Sequence, residues 1–341
     1  MKLTRTTACR VIGAFTLSAA FALSAAQACA QQPSSSEGLQ KLMEHRQDLS
    51  RRAVEETQQR RFEDGKSDSN FPSDNANAAK RGVIPALTPQ QQKALKHNDR
   101  GLELFSKGQF DEAMKEYQEA IRSDPKLAAA HNNLGSAYFA AGRFEEAATS
   151  FQRACELDPN YGQAFFNLAL SQIKLGREKE ANEMLNAALR AYNSAGEEQL
   201  KAGHFNEAEE AFRGMLQIDP EYVPALLRLG LVYNSAKRYA EATQVLSHGA
   251  EREPANAAAH QLLAEALYGE RKYEEAAASA ERALKLSPNH PDALYYAGLS
   301  RASLGQRDAA LAYLDKLRQL NSPELSQRLL DFINQKAPVK Q

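Results

Sequence analysis

Histidine, cysteine and paired glutamates are the residues here that could do chemistry, and their spacing argues against it. His97 and His131 lie 34 residues apart, and His260 falls in the same phase further on. Imidazoles could ligate a metal. The same slot takes Phe165 and Leu226 elsewhere, so it is a packing position. Ligands on successive helices would also stand about 8–10 Å apart or more. The acidic pairs Glu145-Glu146 and Glu274-Glu275 sit at the start of helical stretches, where they oppose the helix dipole. The chain has three cysteines, and Cys155 is the only one outside the first thirty residues. It occupies a slot held elsewhere by Ile121, Leu189, Leu216 and Leu284, which predicts a buried, inert thiol. There is no Gly-rich phosphate loop, HExxH, CxxC or nucleophile elbow. The formal net charge of −1 gives no reason to expect nucleic acid. The expectation is a binding protein, not an enzyme, with no cofactor and no metal.

The elements carrying these residues repeat. Ala113, Ala147, Ala181, Ala208, Ala242, Ala276 and Ala310 are spaced by 34, 34, 27, 34, 34 and 34 residues. Twelve positions before each stands Gly101, Gly135, Ala169, Gly196, Gly230, Ala264 or Gly298. Five copies close on a proline, at Pro125, Pro159, Pro220, Pro254 and Pro288. Helical spacing around Leu134 to Tyr138 and again around Ala147 to Ala154 gives two helices per copy. A glycine between them, as at Gly108, Gly142, Gly176 and Gly203, allows a tight turn. The small residues are expected to face each other where the helices cross, and each closing proline to start the next copy's first helix. One hairpin cannot bury its own apolar face, so copies must stack.

Period and pattern together resemble the tetratricopeptide repeat. The resemblance implies an all-α fold, an α-solenoid of about seven helix-turn-helix copies with a C-terminal capping helix. Copies start near 94, 128, 162, 189, 223, 257 and 291, the solenoid spans 89–321, and a cap covers 322–335. The tryptophan favoured near each repeat start is absent. His97, His131, Phe165, Tyr192, Leu226, His260 and Leu294 fill that slot.

In this family the first helices line a concave groove. Carried onto this register, the groove would hold Asn98, Asn132, Asn133, Phe139, Phe166, Asn167, Leu170, Ile173, Leu227, Leu231, Tyr268 and Tyr295. Several are large and apolar, which favours an amphipathic helix or extended peptide as ligand. On that expectation, charge at Phe166 or Leu170 would abolish capture of a partner and leave helicity intact. Asn133 and Asn167 sit where some members set an asparagine ladder against peptide backbone; asparagine is also simply common there. The basic clamp for a C-terminal carboxylate is not reproduced.

The third copy is seven residues short and lacks its proline. Seven residues are close to two helical turns, so phase is nearly kept across the deletion. One helix from about Glu178 to Lys201 is expected; the alternative is a tight turn at Asn193-Ser194-Ala195-Gly196.

Residues 1–30 read as an export signal. Lys2, Arg5 and Arg10 precede an apolar run from Val11 to Ala26, and Ala28-Cys29-Ala30 is a small-x-small cleavage site. Removing it leaves a net charge of −4. An uncleaved anchor and a lipidated Cys29 are the alternatives; Gln27 fits the lipidation pattern poorly. Residues 31–88 are polar and low in complexity, a disordered tether with a weak helical pattern through Leu39, Leu42, Met43, Leu49 and Val54. The whole reads as an exported, periplasmic or secreted adaptor whose partner is another protein or peptide. The alternative is a lipid-anchored outer-membrane assembly factor for pilus, secretion or polysaccharide export, touching a membrane only if Cys29 is lipidated.

Overall fold

A computed structural model describes residues 87–336; the leader and residues 31–86 of the tether lie outside the described residues. Every regular element described is an α-helix. In chain order they are α1 (Pro89–Ser106), α2 (Phe110–Ser123), α3 (Ala128–Ala140), α4 (Phe144–Leu157), α5 (Gly162–Lys174), α6 (Glu178–Ala202) and α7 (Phe205–Ile218). Then come α8 (Val223–Ser235), α9 (Tyr239–Arg252), α10 (Ala257–Gly269), α11 (Tyr273–Leu286), α12 (Pro291–Ser303), α13 (Arg307–Gln319) and α14 (Pro323–Lys336). Consecutive helices pack as antiparallel hairpins, and first helices of neighbouring copies also pack on one another at α1–α3, α3–α5, α8–α10 and α10–α12. Second helices have no comparable contact with one another. The first helices therefore form an inner layer and the second helices an outer, splayed one. No helix among the described residues is long and apolar enough to cross a membrane.

The crossing inside a hairpin depends on a missing side chain. A Cβ added at Gly135 would lie 2.7 Å from the Phe151 ring of α4, and one at Gly101 would lie 2.5 Å from Tyr117 of α2. Gly196 meets Phe212 in the same way at 2.6 Å, and Gly230 meets Leu246. The small residue of the first helix thus makes room for a large residue of the second. This corrects the expectation of two small residues face to face.

The turns have two recurrent solutions. Within a hairpin, Gly142 closes α3 with φ 76°, the left-handed region. Lys237 and Arg271 hold the same slot in later copies at φ 60° and 64° without a glycine's freedom. At five joints between copies the chain leaves the second helix through a β-turn: in the first, Leu127 N–H donates to Asp124 O at 3.2 Å, with Pro125 as the second residue. Asp124 Oδ1 accepts from Lys126 N–H at 3.0 Å. Asp158 and Asp219 repeat both bonds. The closing prolines belong to these turns, where a fixed φ suits the second position, and not to the following helix as the sequence suggested.

The short copy resolves in favour of the long helix. α6 runs unbroken for 25 residues and residues 193–196 are helical. Its first half is the second helix of copy three and its second half the first helix of copy four. Tyr192 sits at the joint, against backbone where Gly162 of α5 and Gly214 of α7 both lack a Cβ. At the C-terminus, α14 buries Leu329 and Ile333 against α12 and α13, with Leu325 and Phe332 partly buried. At the other end Thr88 and Gln91 make a capping box.

Gly135→Ala should destabilise the protein. Alanine in a helix gains about 1 kcal/mol over glycine. Overpacking against a ring that cannot move costs about 1–3 kcal/mol. A net loss near 1 kcal/mol in denaturant melts is expected, shrinking in a Phe151→Leu background. Lys237→Gly should act oppositely. Relief of left-handed strain exceeds the added chain entropy by about 0.5–1 kcal/mol, read as a higher denaturation midpoint.

Candidate partner-binding face

The inner layer is stitched by a polar link at successive joints between first helices. Asn133 Nδ2 of α3 donates to Asn98 Oδ1 of α1 at 2.8 Å. Asn167 Nδ2 of α5 donates to Asn132 Oδ1 of α3 at 3.0 Å. The Tyr192 hydroxyl of α6 donates to Gln163 Oε1 of α5 at 2.9 Å, and Gln163 Nε2 donates to Asn167 Oδ1 at 3.0 Å. Arg228 of α8 is ion-paired with Glu197 of α6 at 2.5 Å. Asn234 Nδ2 of α8 donates to the Leu262 carbonyl of α10 at 3.0 Å. Asn132 Nδ2 reaches Asn133 Oδ1 at 3.5 Å, so Tyr192, Gln163, Asn167, Asn132, Asn133 and Asn98 form one run with every donor pointing the same way. An amide can donate and accept, so such a run satisfies itself while largely dry.

This geometry corrects the apolar groove. Phe166 and Leu170 are 2% and 1% exposed, and with Leu227 they belong to the central core. Tyr295 is buried in the C-terminal core. Phe139, Ile173 and Leu231 are partly buried against the central core and Tyr268 against the C-terminal one. Asn98, Asn132 and Asn167 are buried, Asn133 is partly exposed, and all four are engaged with one another. The physical reason is the close approach of neighbouring first helices, which places these side chains in the seam. Charge at Phe166 or Leu170 would break the core, so those two positions do not test a surface.

The remaining chemical candidates have structural partners. His131 and His260 place Nε2 at 3.1 and 3.0 Å from the carbonyls of Pro125 and Pro254, tying a first helix to the turn before it. His97 Nδ1 is 2.7 Å from Glu116. Glu146 pairs with Arg143 at 2.8 Å and Glu145 with Arg177 of the next copy at 2.6 Å. Cys155 is buried, and burial pushes its thiol up to about 12.

Glu265 on α10 has no sequence signal that separates it from the other helical glutamates. It is partly buried, and that burial raises its carboxyl above the ordinary range. The Tyr296 hydroxyl and the Asn234 amide oppose the rise, while Asp292 of α12 adds to it. Tyr296 is itself pushed upward by burial and by Glu265. The Tyr268 and Tyr296 rings stand 6.0 Å apart, and Tyr295 and Tyr296 stand 5.4 Å apart.

Two family models described as tetratricopeptide repeat match this sequence. One matches residues 98–162, 243–291 and 261–324, and the other residues 139–197 and 199–266, together well over half the chain. A TPR repeat-containing protein of Treponema pallidum is 32% identical over 136 residues, which is 38% of this chain and 16% of that protein. The chain thus matches about a sixth of that relative's length. Among solved structures, a tetratricopeptide repeat protein from Parabacteroides merdae is 18% identical with a TM-score of 0.37, covering 71% of this chain and 99% of that one. YrrB, described as a TPR protein with an unusual peptide-binding site, is 21% identical with a TM-score of 0.32, covering 63% of this chain and 97% of its own. At these TM-scores the assignment rests on the sequence matches and the helix pairs.

A carboxyl raised by burial stabilises the fold while protonated. That contribution is complete below the unfolded value of about 4.3 and is lost as pH rises through the higher folded value. Glu265→Gln should therefore match the parent at pH 4 and exceed it in denaturation midpoint at pH 7.5. An equal difference at both pH values would mean that the ionised carboxylate carries no penalty.

Proposed function

This chain belongs to the tetratricopeptide-repeat family, and from that premise we propose that it is a binding scaffold without catalytic activity that holds a segment of a partner protein along its inner layer. The observation that carries the reading is the row of neighbouring first helices with amide, ion-pair and tyrosine–carboxyl groups at their joints. The partly exposed members of that row, Asn133, Gln163, Glu197 and Arg228, are the groups that an extended peptide or a helix laid along the inner layer would meet. The outer helices present mostly short-range pairs such as Arg153–Glu156 and Arg318–Asp315, which are worth little individually and leave that side a solvated surface.

The setting follows from the N-terminal sequence. Lys2, Arg5 and Arg10 ahead of the apolar run to Ala26, and the site at Ala28-Cys29-Ala30, support export with cleavage after Ala30. The protein is then a periplasmic or secreted adaptor on a polar tether. Lipidation of Cys29 would instead make it an outer-membrane-anchored assembly factor. The intact mass of the mature protein separates the two: a chain starting at Gln31 supports the adaptor, and a lipidated Cys29 the anchored form.

A photo-crosslinking residue at Leu102, Ser136 or Leu231 on first helices, compared with Gln118, Gln244 or Arg282 on second helices, tests the binding face. Leu102 is 45% exposed and so tolerates replacement. Adducts with one defined protein are expected from the inner positions in the native envelope fraction. The same adducts from the outer positions would place the surface elsewhere.

A further inference from the structure

The two ends of the array solve one problem differently. In copies two, three, five, six and seven the first helix packs on the second helix before it. That contact buries an alanine and, in most copies, a leucine four residues on. Ala164 and Leu168 of α5, for example, share a cluster with Phe151, Ala154 and Cys155 of α4. Ala130, Ala225, Ala259 and Ala293 hold the alanine slot in the other copies, all 0% exposed. Copy one has no second helix before it among the described residues. Its two slots hold Lys96 and Arg100, with Lys93 one turn earlier on the same face. Lys93 and Lys96 are exposed, and among the described residues neither has an ion pair. Arg100 meets Glu116 at 3.2 Å and keeps its side chain 70% exposed. The C-terminal end must be solvated too, and α14 turns the mixed set Glu324, Arg328 and Asp331 outward. A single sign of charge on α1 is therefore more than solvation demands.

The chain itself contains a segment of the opposite charge. Residues 62–75, outside the described residues, carry Glu63, Asp64, Asp68 and Asp74 against the single base Lys66. The stretch 76–86 has Lys80 and Arg81 and no acid. Residues 37–61 hold six Lys or Arg and five Asp or Glu, close to balance. Only 62–75 has the complementary sign. We propose that residues 62–75 dock on the outward face of α1, with their carboxylates set against Lys93, Lys96 and Arg100. Asn75 precedes Pro89 by fourteen residues. That much chain reaches at most about 50 Å, and Lys93 to Arg100 covers only about 10 Å of helix. Exposed ion pairs are weak one by one. A short linker supplies an effective concentration of the order of millimolar, which lets several weak pairs form together. The contact fixes the tether to the end of the solenoid and leaves residues 31–61 as the spacer. It lies on the end of the array and not on the inner layer, so it is independent of the scaffold reading.

The test uses the full mature chain and a water-soluble carbodiimide, which couples a carboxylate to a lysine amine only where the two touch. Mass spectrometry of the digested product is expected to join 62–75 to Lys93 or Lys96 at least fivefold more often than to Lys107, Lys115 or Lys126, which are exposed lysines of the same copy. The yield should not depend on protein concentration and should fall severalfold as salt is raised from about 0.05 M to 0.5 M. Arg100→Gln, which leaves both lysines in place, should lower the yield at least twofold. Lys96→Glu should abolish coupling at Lys93. Both side chains are exposed, so the helical signal should be unchanged in either variant. Equal coupling to all five lysines, or coupling at Lys93 unaltered by Lys96→Glu, would overturn the proposal. A yield that rises with protein concentration would overturn it in favour of the same segment from a second copy. Lysine-dependent co-sedimentation with phosphatidylglycerol vesicles, in a chain that shows no coupling, would assign the face to an anionic surface instead.

Discussion

Four of the seven hairpins rest on a contact made possible by an absence. Phe151 can lie flat on α3 only because Gly135 has no side chain, and Tyr117, Phe212 and Leu246 use Gly101, Gly196 and Gly230 in the same way. The large residue belongs to the outer helix and the vacancy to the inner one. That order brings the two backbones close and leaves each hairpin with an unburied apolar edge. Stacking buries the edge, and because the contact recurs in phase, so does the stack. Copy six shows the rule by inversion. Its inner helix has Ala264, and the outer residue packed with it is the small Ala280.

Close inner helices then decide what the inner face can be. Residues at the joints are squeezed out of solvent, so apolar ones join the core and polar ones must find partners across the seam. The N-terminal copies meet this demand with amides, whose dual character lets Asn167 accept from Gln163 and donate to Asn132. The C-terminal copies meet it with carboxyls and tyrosines, where the Tyr296 hydroxyl is set against Glu265. A glutamine at Glu265 would remove the charge that burial disfavours, at nearly the same volume. An acid there is a local conflict in an otherwise consistent array.

Much of the architecture was legible in the sequence because its determinants are local. A small residue twelve positions before an alanine lies within one hairpin, so spacing alone reveals it. The long α6 was legible for a related reason: a deletion of two turns hardly disturbs helical phase. What misled was non-local. Whether Phe166 or Leu170 faces solvent depends on how close a neighbouring copy's helix comes, and no residue within their own copy reports it. The role of Pro125 was misplaced by three residues, the length of a turn whose hydrogen bonds only coordinates reveal. Lys237 and Arg271 gave no sign of a left-handed backbone, since turn geometry imposed by two packed helices overrides their preference. Glu265 was invisible among many helical glutamates. Its meaning comes from Asn234 and Tyr296, each on a different helix.

These constraints meet at Tyr192. Its ring needs the missing Cβ atoms of Gly162 and Gly214, so it fixes α6 against the helix before and the helix after. Its hydroxyl is the donor that begins the amide run through copies three, two and one. The same helix carries Glu197, whose pair with Arg228 begins the charged half of the seam. A 25-residue helix is about 37 Å long at 1.5 Å per residue, and here no loop interrupts it. In a regular joint, a turn between copies could absorb a small change in one hairpin before it reached the next. Here the second helix of copy three and the first helix of copy four are one rod, so displacement of one end is displacement of the other. The neutral seam and the charged seam are thus held in a fixed relation by a covalent helix. A partner lying along both would meet a surface whose spacing is set by α6 and not by the flexibility of a loop.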